Sequence, residues 1–192
     1  MTRLTRALLW LLAAVGAAAC ATGLWFLANG VSARPAPSSM EAFAAHRLRA
    51  WAIPSAAATR TNPVPESPEV LAEGLAHFAD HCSICHANDG SGKTTLGQGL
   101  SPRAPDLRLP ATQQLSDGTL FYIIENGVKL TGMPAWGTGT AEGEAASWRL
   151  VRFIRHLPSL SEAELQRMES LNPKSADEWR EAEEERKFLE GP

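Results

Sequence analysis

The longest apolar stretch of the chain lies at its N-terminus. Arg3 and Arg6 precede an uninterrupted run of uncharged residues at positions 7–28. A helix of this length reaches ~33 Å at ~1.5 Å per residue, which is enough to cross the hydrocarbon core of a membrane. A secretory signal usually has a shorter apolar region of ~7–15 residues. We therefore predict that residues 1–30 form an uncleaved membrane anchor.

Two other fates of this segment stay open. Residues 17–19 are all alanine and resemble a signal cleavage site, and Cys20 directly after them could carry a lipid. Bacterial lipoprotein signals usually have a larger aliphatic residue where this chain has Ala17, and the apolar run continues through residues 24–27. We therefore interpret Cys20 as a small apolar residue of a membrane helix.

Basic residues flank the two ends of the apolar run unequally. Arg3 and Arg6 lie close before it, whereas Arg34 is the only nearby basic residue after it. Positive charge next to a membrane segment tends to remain in the cytoplasm. We therefore predict a cytoplasmic N-terminus, with the rest of the chain on the periplasmic, extracytoplasmic side of the membrane.

The remainder of the chain alternates between amphipathic segments and segments rich in proline, glycine and serine. Residues 31–66 are an Ala/Pro/Ser-rich spacer, with a short helix expected around residues 40–51. A compact unit covers residues 67–158. Residues 159–192 form an acidic C-terminal extension that opens with a capping-box pattern at Ser161. No stretch shows the sustained alternation of a strand.

Three helices are predicted in the compact unit. The first begins at Ser67 and Pro68, a hydroxyl N-cap followed by proline at the first helical position. The second begins at Ser116 and ends near Gly127, and the third covers about residues 142–157. Long glycine- and proline-rich loops join them, and apolar residues are few for a unit of this size. A large apolar cofactor at the centre would give these loops a surface to fold onto.

Composition and charge exclude one class of partner. The 192 residues include 18 basic and 21 acidic side chains, which gives a formal net charge of −3. Nucleic-acid-binding domains are strongly basic, so no nucleic acid is expected as a partner. The chain has three cysteines, an odd number, and two of them lie in one short motif. This is a poor disulfide framework, so another use of the thiols is expected.

The sequence CSICH at 82–86 matches the C-x-x-C-H signal for attachment of a c-type haem. Cys82 and Cys85 lie on one side of a helical turn, where each thiol can form a thioether with a haem vinyl group. His86 then reaches the iron from the same side. A thioredoxin-like redox pair would need a βαβ setting, and a zinc site would need further ligands at suitable spacing. We therefore predict one covalent haem c, with His86 as the proximal iron ligand.

An electron carrier needs a second axial ligand for the iron. Met133 stands in the loop TGMPAWG (131–137), 47 residues after His86. Glycine and proline around it hold the side chain inward without competition from a helix. We predict Met133 as the distal ligand, although a lone methionine is more often core filling. The other candidates are Met40, His46, His77, His81, His156 and Met168.

The sequence GSGKT (90–94) is similar to part of a phosphate-binding loop. The first glycine that such a loop requires is replaced by Ala87, and no strand precedes it. We therefore expect a surface loop after the haem motif.

These motifs together resemble the class I cytochrome c family over roughly residues 67–158. The resemblance rests on CSICH, on APDL at 104–107, on the Met133 loop and on the final helix sequence WRLVRFIRHLP. Membrane-tethered members with an N-terminal anchor look most similar. The resemblance implies an all-α cytochrome c fold, with helices and long loops wrapped around one haem and a single N-terminal transmembrane helix before it.

The resemblance also implies two specific contacts. The first and last helices of the fold cross, which would bring Gly74 and Phe78 against the helix that carries Trp148, Val151 and Phe153. In addition, the carbonyl of Pro105 would accept a hydrogen bond from the haem histidine, which orients the ring and tunes the iron.

A carrier function follows from these assignments. Iron held by His86 and Met133 is six-coordinate in both oxidation states, so little reorganises when an electron arrives. We expect a single-electron carrier rather than an enzyme. Its partners would be a donor dehydrogenase or quinol-oxidising complex and an acceptor oxidase or reductase at the same membrane face. Two alternatives stay open: a gas-binding or peroxidase-type haem protein with a loose Met133, and a haem-bearing docking subunit of a larger oxidoreductase.

Overall fold

The computed structural model describes residues 2–29, 32–33, 35, 37–174 and 176–190. Within these ranges the chain is helical and has no strand. It divides into two compact units, Met1–Pro35 and Ala36–Pro192. Arg34, on which the predicted orientation partly depends, and the predicted boundary between anchor and spacer at residues 30 and 31 lie outside the described residues.

The first unit contains one long helix, α1 (Arg3–Asn29). Its segment Arg3–Ala28 has a mean hydropathy of 2.0, and none of that apolar window is buried in the protein. The predicted N-terminal apolar helix is therefore confirmed, and its length and composition are compatible with crossing a membrane. Insertion into a membrane stays a prediction.

The second unit is a set of helices joined by loops and short turns. In chain order these are α2 (Ser39–Ala52), α3 (Ser55–Ala58), α4 (Pro68–His77), a π-helical turn (Phe78–Cys82), α5 (Ser83–His86), α6 (Thr95–Gly99), α7 (Pro110–Gln113), α8 (Asp117–Asn126), α9 (Ala141–His156), a 3-10 turn (Leu157–Ser159), α10 (Glu162–Leu171) and α11 (Ala176–Glu190). The three helices predicted in the compact unit are confirmed as α4, α8 and α9. The short helices α3, α6 and α7 were not expected from the sequence.

Serine hydroxyls begin the helices where the sequence predicts them. Ser67 Oγ accepts a hydrogen bond from the backbone N–H of Val70 at 3.3 Å. Ser116 and Ser161 make the equivalent bonds at 3.2 and 3.3 Å. Each bond satisfies an N–H that has no partner within its helix. The starts of α4, α8 and α10 are therefore set by local side-chain chemistry.

The core of the second unit is built where α4 crosses α9. A Cβ atom at Gly74 of α4 would lie 2.7 Å from the backbone oxygen of Arg149 and 2.8 Å from Cβ of Phe153. The rings of Phe78 and Phe153 lie 5.3 Å apart, and Trp148 and both phenylalanines are buried. The crossing of these two helices, which the resemblance implied, is confirmed. Only glycine at position 74 permits so close an approach.

Segments on both sides of residues 67–158 also pack onto this core. Met168 of α10 is fully buried within the same apolar cluster. On the N-terminal side, Ser116 Oγ donates to the carbonyl of Ala58 at 2.6 Å, and Asn62 Nδ2 donates to the carbonyl of Trp148 at 2.9 Å. The second half of the predicted spacer is therefore held against α8 and α9 rather than extended.

Candidate haem-binding site

The CSICH motif lies on one nearly continuous helical run. α4 passes through the π-helical turn into α5, which ends at His86. Ala87 then adopts a φ of +60°, which breaks the helix. Cys82 and Cys85 are half-buried and form no disulfide. We call the run from Pro68 to His86 the attachment helix; it presents two free thiols and an imidazole within five residues.

The electrostatics of the two thiols differ from those of a redox-active pair. Burial, together with the neighbouring Cys85, raises the pKa of the Cys82 thiol to about 12. Burial also raises the pKa of Cys85. Reactive C-x-x-C thiols have lowered pKa values instead. Among the described residues, moreover, no group of three or more His, Cys, Asp or Glu side chains could hold a metal ion. Neither a thioredoxin-like pair nor a zinc site fits.

His86 has the properties that a haem ligand needs. Burial lowers the pKa of His86, while the Pro105 carbonyl acts in the opposite direction and raises it. The ring is therefore neutral near pH 7, and the neutral imidazole is the form that binds a metal. Its Nδ1 atom is buried and has no hydrogen-bond partner among the described residues. An imidazole bound through Nε2 directs Nδ1–H to an acceptor, and the Pro105 carbonyl, which raises the pKa of His86, is the candidate acceptor here.

Pro105 lies beside the attachment helix because the loop after it folds back. The N–H of Gly92 donates to the His86 carbonyl at 2.8 Å, and the N–H of Leu107 donates to the Gly90 carbonyl at 2.8 Å. The Pro105 carbonyl influences the pKa of His86, yet no contact from Nδ1 meets the geometry of a hydrogen bond. The predicted bond between Pro105 and His86 therefore stays a prediction.

The sequence GSGKT is only partly a surface loop, contrary to expectation. Gly90, Ser91 and Gly92 are buried, and Lys93 is exposed. Gly92 has a φ of +70°, and a Cβ atom there would lie 3.1 Å from the Pro105 oxygen. Gly92 thus allows the Pro105 segment to approach the attachment helix. Sequence reasoning missed this role, because glycine is as common in exposed loops as at such close approaches.

Met133 lies in a loop whose backbone is firmly tied. The N–H of Val128 donates to the Met133 carbonyl at 3.1 Å, and the N–H of Met133 donates to Thr131 Oγ1, also at 3.1 Å. Gly127 has a φ of +65°, and a Cβ atom there would lie 2.6 Å from the backbone of Pro134. The Met133 side chain is half-buried. Its position is therefore set by a compact turn rather than by a helix.

The methionine loop also closes the end of α8 and contacts the attachment helix. The N–H of Trp136 donates to the Ile124 carbonyl at 3.0 Å, and the N–H of Gly137 donates to the next carbonyl at 3.1 Å. Both carbonyls lie in the last turn of α8, where no N–H of the same helix is left to donate to them. The Trp136 ring stacks on His81 with centroids 5.4 Å apart and planes at 25°. This stack links the Met133 loop to the helix that bears the cysteines.

The other candidate ligands have different surroundings. Met168 is buried in the core, and His156 Nε2 is hydrogen-bonded to a carboxylate of α10 at 2.8 Å. Met40 and His46 are exposed on α2. His77 is the last residue of α4 and precedes the cysteines on the attachment helix. These placements leave Met133 as the candidate whose loop approaches the attachment helix from a separate segment.

One comparison with known proteins bears on this site. A family model described as "Cytochrome C oxidase, cbb3-type, subunit III" matches residues 69–154. The match includes the CSICH motif, Pro105 and the Met133 loop, and it excludes α1, α2 and α10. The match supports a class I c-type cytochrome domain at residues 69–154. A domain of this class implies haem c and supports haem-based electron transfer.

Proposed function

We propose that the protein is a single-electron carrier with one haem, bound covalently through Cys82 and Cys85. His86 would be the proximal iron ligand and Met133 the distal one. The observation that carries this proposal is the environment of His86. Its ring is half-buried, burial lowers its pKa, its buried Nδ1 lacks a partner among the described residues, and it shares a helix with two free thiols.

The residues of this chain would act by holding the iron environment constant. When bound, the haem supplies an iron that takes up and releases one electron. His86 would keep its orientation through the Pro105 carbonyl. The hydrogen bonds of Val128 and Thr131 fix the backbone at Met133, so its sulfur would move little between the two oxidation states. The protein would transform no substrate itself.

The proposed arrangement of domains would keep the carrier at the membrane. Residues 1–30 would be an uncleaved membrane anchor, 31–66 a connecting spacer, 67–158 the haem domain and 159–192 a C-terminal extension. The haem domain would lie on the periplasmic side. Its electron donor would be a dehydrogenase or quinol-oxidising complex, and its acceptor an oxidase or reductase in or near the same membrane.

The covalent attachment and the number of haems are tested on full-length protein made in a host that attaches c-type haem. We expect the denatured wild-type chain to keep a mass increase of one haem and the Cys82→Ala, Cys85→Ala double variant to lose it. Cys20→Ala is the matched control and keeps the haem. A potentiometric titration should then fit a single one-electron step. A second haem, or haem lost from the denatured wild type, would refute the proposal.

A second candidate is a haem-bearing subunit of a larger oxidoreductase. The description of the matched family, a subunit of an oxidase, favours this possibility. As a subunit, the protein would carry out the same electron transfer through its haem, but within a stable complex instead of with transient partners. Co-purification after mild detergent extraction distinguishes the two. A stable complex of fixed stoichiometry indicates a subunit, whereas recovery of the chain alone indicates a free-standing tethered carrier.

A further inference from the structure

Helix α2 has an apolar face that is open to its surroundings. Met40, Phe43, Leu48 and Trp51 are 78%, 63%, 62% and 79% exposed, and no residue of α2 is buried. At ~3.6 residues per turn these four side chains fall within about 140° of one another around the helix. Four large apolar side chains on one face of a 14-residue helix are therefore exposed together.

The side of α2 opposite the apolar face is the side that is partly buried. The only half-buried residues of the helix are Ala42 and Arg49. A helix that packed onto the core of its own chain would bury phenylalanine, leucine and tryptophan and expose arginine. A helix of this length is also marginal in water without a packing partner, even with the capping box that Ser38 and Glu41 form. The apolar face therefore lacks a packing partner among the described residues, and we expect a partner outside them.

We propose that α2 lies on the membrane surface, with Met40, Phe43, Leu48 and Trp51 inserted at the level of the lipid headgroups. This inference rests on the proposed anchoring by α1. Only nine residues, 30–38, separate the end of α1 from the start of α2. A chain segment of that length reaches at most ~30 Å, at ~3.5 Å per residue. Tethering therefore holds α2 near the bilayer that α1 crosses.

The charges and aromatic groups of α2 suit an anionic lipid surface. Two arginines, Arg47 and Arg49, outnumber the single acidic residue of the helix, Glu41. Arg49 lies on the half-buried side, so Arg47 is the cation on the apolar side. The Arg47 guanidinium lies 5.4 Å from the centre of the Phe43 ring, and Arg47 stands between Phe43 and Met40 within the arc of the apolar face. An arginine in this position can bury its aliphatic stem and keep its charge among phosphates. Tryptophan and phenylalanine are typical of the membrane interface.

The consequence is a restraint on the haem domain. Two residues separate α2 from α3, and the segment that follows α2 is bonded to the domain through Ser116 to Ala58 and Asn62 to Trp148. A surface-bound α2 would therefore hold the haem domain next to the bilayer instead of letting it swing on a long tether. That position favours electron exchange with partners embedded in the same membrane.

This proposal is tested with spin labels. The full-length, haem-loaded protein is labelled and placed in vesicles that contain anionic phosphatidylglycerol. One label is placed at Met40→Cys on the apolar face and a matched one at Ala45→Cys, which is exposed about 140° away around the helix, each with Cys20→Ala. For each label, the rate of collision with oxygen, which concentrates in the bilayer, is compared with the rate of collision with a water-soluble nickel complex. We expect the Met40 label to favour oxygen and the Ala45 label to favour nickel.

A label on the native Cys20 separates this proposal from the anchor on which it rests. If the Cys20 label lies in the bilayer while the Met40 and Ala45 labels are equally open to nickel, the anchor stands and the surface helix is refuted. If the Cys20 label is itself in water, or Cys20 is missing from the mature chain, both are refuted. Opposite preferences at Met40 and Ala45, with Cys20 in the bilayer, support the proposal.

Discussion

At the residue scale, His81 is the side chain through which the attachment helix meets the methionine loop. Its ring stacks on Trp136 at 5.4 Å and lies 5.1 Å from the ring of His77. Trp136 follows Met133 by three residues, so a displaced tryptophan would displace the proposed iron ligand. We interpret His81 as a positioning residue that acts on Met133 through this stack.

Removal of the stack should loosen the methionine loop. An aromatic pair contributes about 0.5–1.5 kcal/mol. His81→Ala should therefore raise the fraction of molecules in which the methionine loop has moved away from the attachment helix roughly 2- to 12-fold. We expect the ferrous protein to bind carbon monoxide more readily and the ferric methionine–iron absorption band to weaken. His81→Phe keeps an aromatic ring and should restore both properties. Equal behaviour of the alanine and phenylalanine variants would contradict a role for the stack.

The same residues show what a sequence can and cannot predict at this scale. Cys82, Cys85 and His86 form one local motif whose spacing has a chemical reason, so they were predicted directly. His81 and Gly92 gained their roles from segments distant in sequence, Trp136 and Pro105. Such pairings depend on how the loops fold back, and no local pattern encodes them.

At the element scale, the fold depends on the crossing of α4 and α9. Gly74 lets the two backbones approach, and Phe78 packs on Phe153 at the same crossing. Caps and amphipathic periodicity predicted α4, α8 and α9, because both are local signals. The short helices α3, α6 and α7 have four or five residues each and no periodicity to detect. Contacts with the rest of the unit determine them instead.

A methyl group at position 74 should weaken this crossing. Overpacking costs about 1–3 kcal/mol, and alanine regains only about 0.5–1 kcal/mol of helix propensity. We therefore expect Gly74→Ala to lower the free energy of unfolding of the haem-loaded protein in detergent, measured by denaturant titration. Gly99→Ala in α6 is the control, because nothing lies within 4 Å of its Cβ position. Equal stabilities of the two variants would contradict the close crossing.

At the scale of the whole molecule, the compact unit extends beyond the limits that composition suggested. Met168 contributes to the core from α10, and Asn62 bonds to α9 from the N-terminal side. The prolines and alanines of residues 53–66 predicted an extended spacer. Their contacts are made by backbone groups, by single polar side chains and by the isolated apolar residue Val64, which packs against the core. Such contacts leave no hydrophobic periodicity in the sequence.

The central claim is that His86 and Met133 both bind the iron, and an optical spectrum with carbon monoxide tests it most directly. The full-length haem-loaded protein is recorded oxidised, reduced, and reduced with carbon monoxide. Met133→Ala is recorded beside it, with Met168→Leu as a volume-conserving control in the core. We predict a low-spin reduced spectrum that carbon monoxide leaves unchanged in the wild type and in Met168→Leu, and ready binding by Met133→Ala. Ready binding of carbon monoxide by the wild type would contradict the claim and favour a gas-binding or peroxidase-type haem protein.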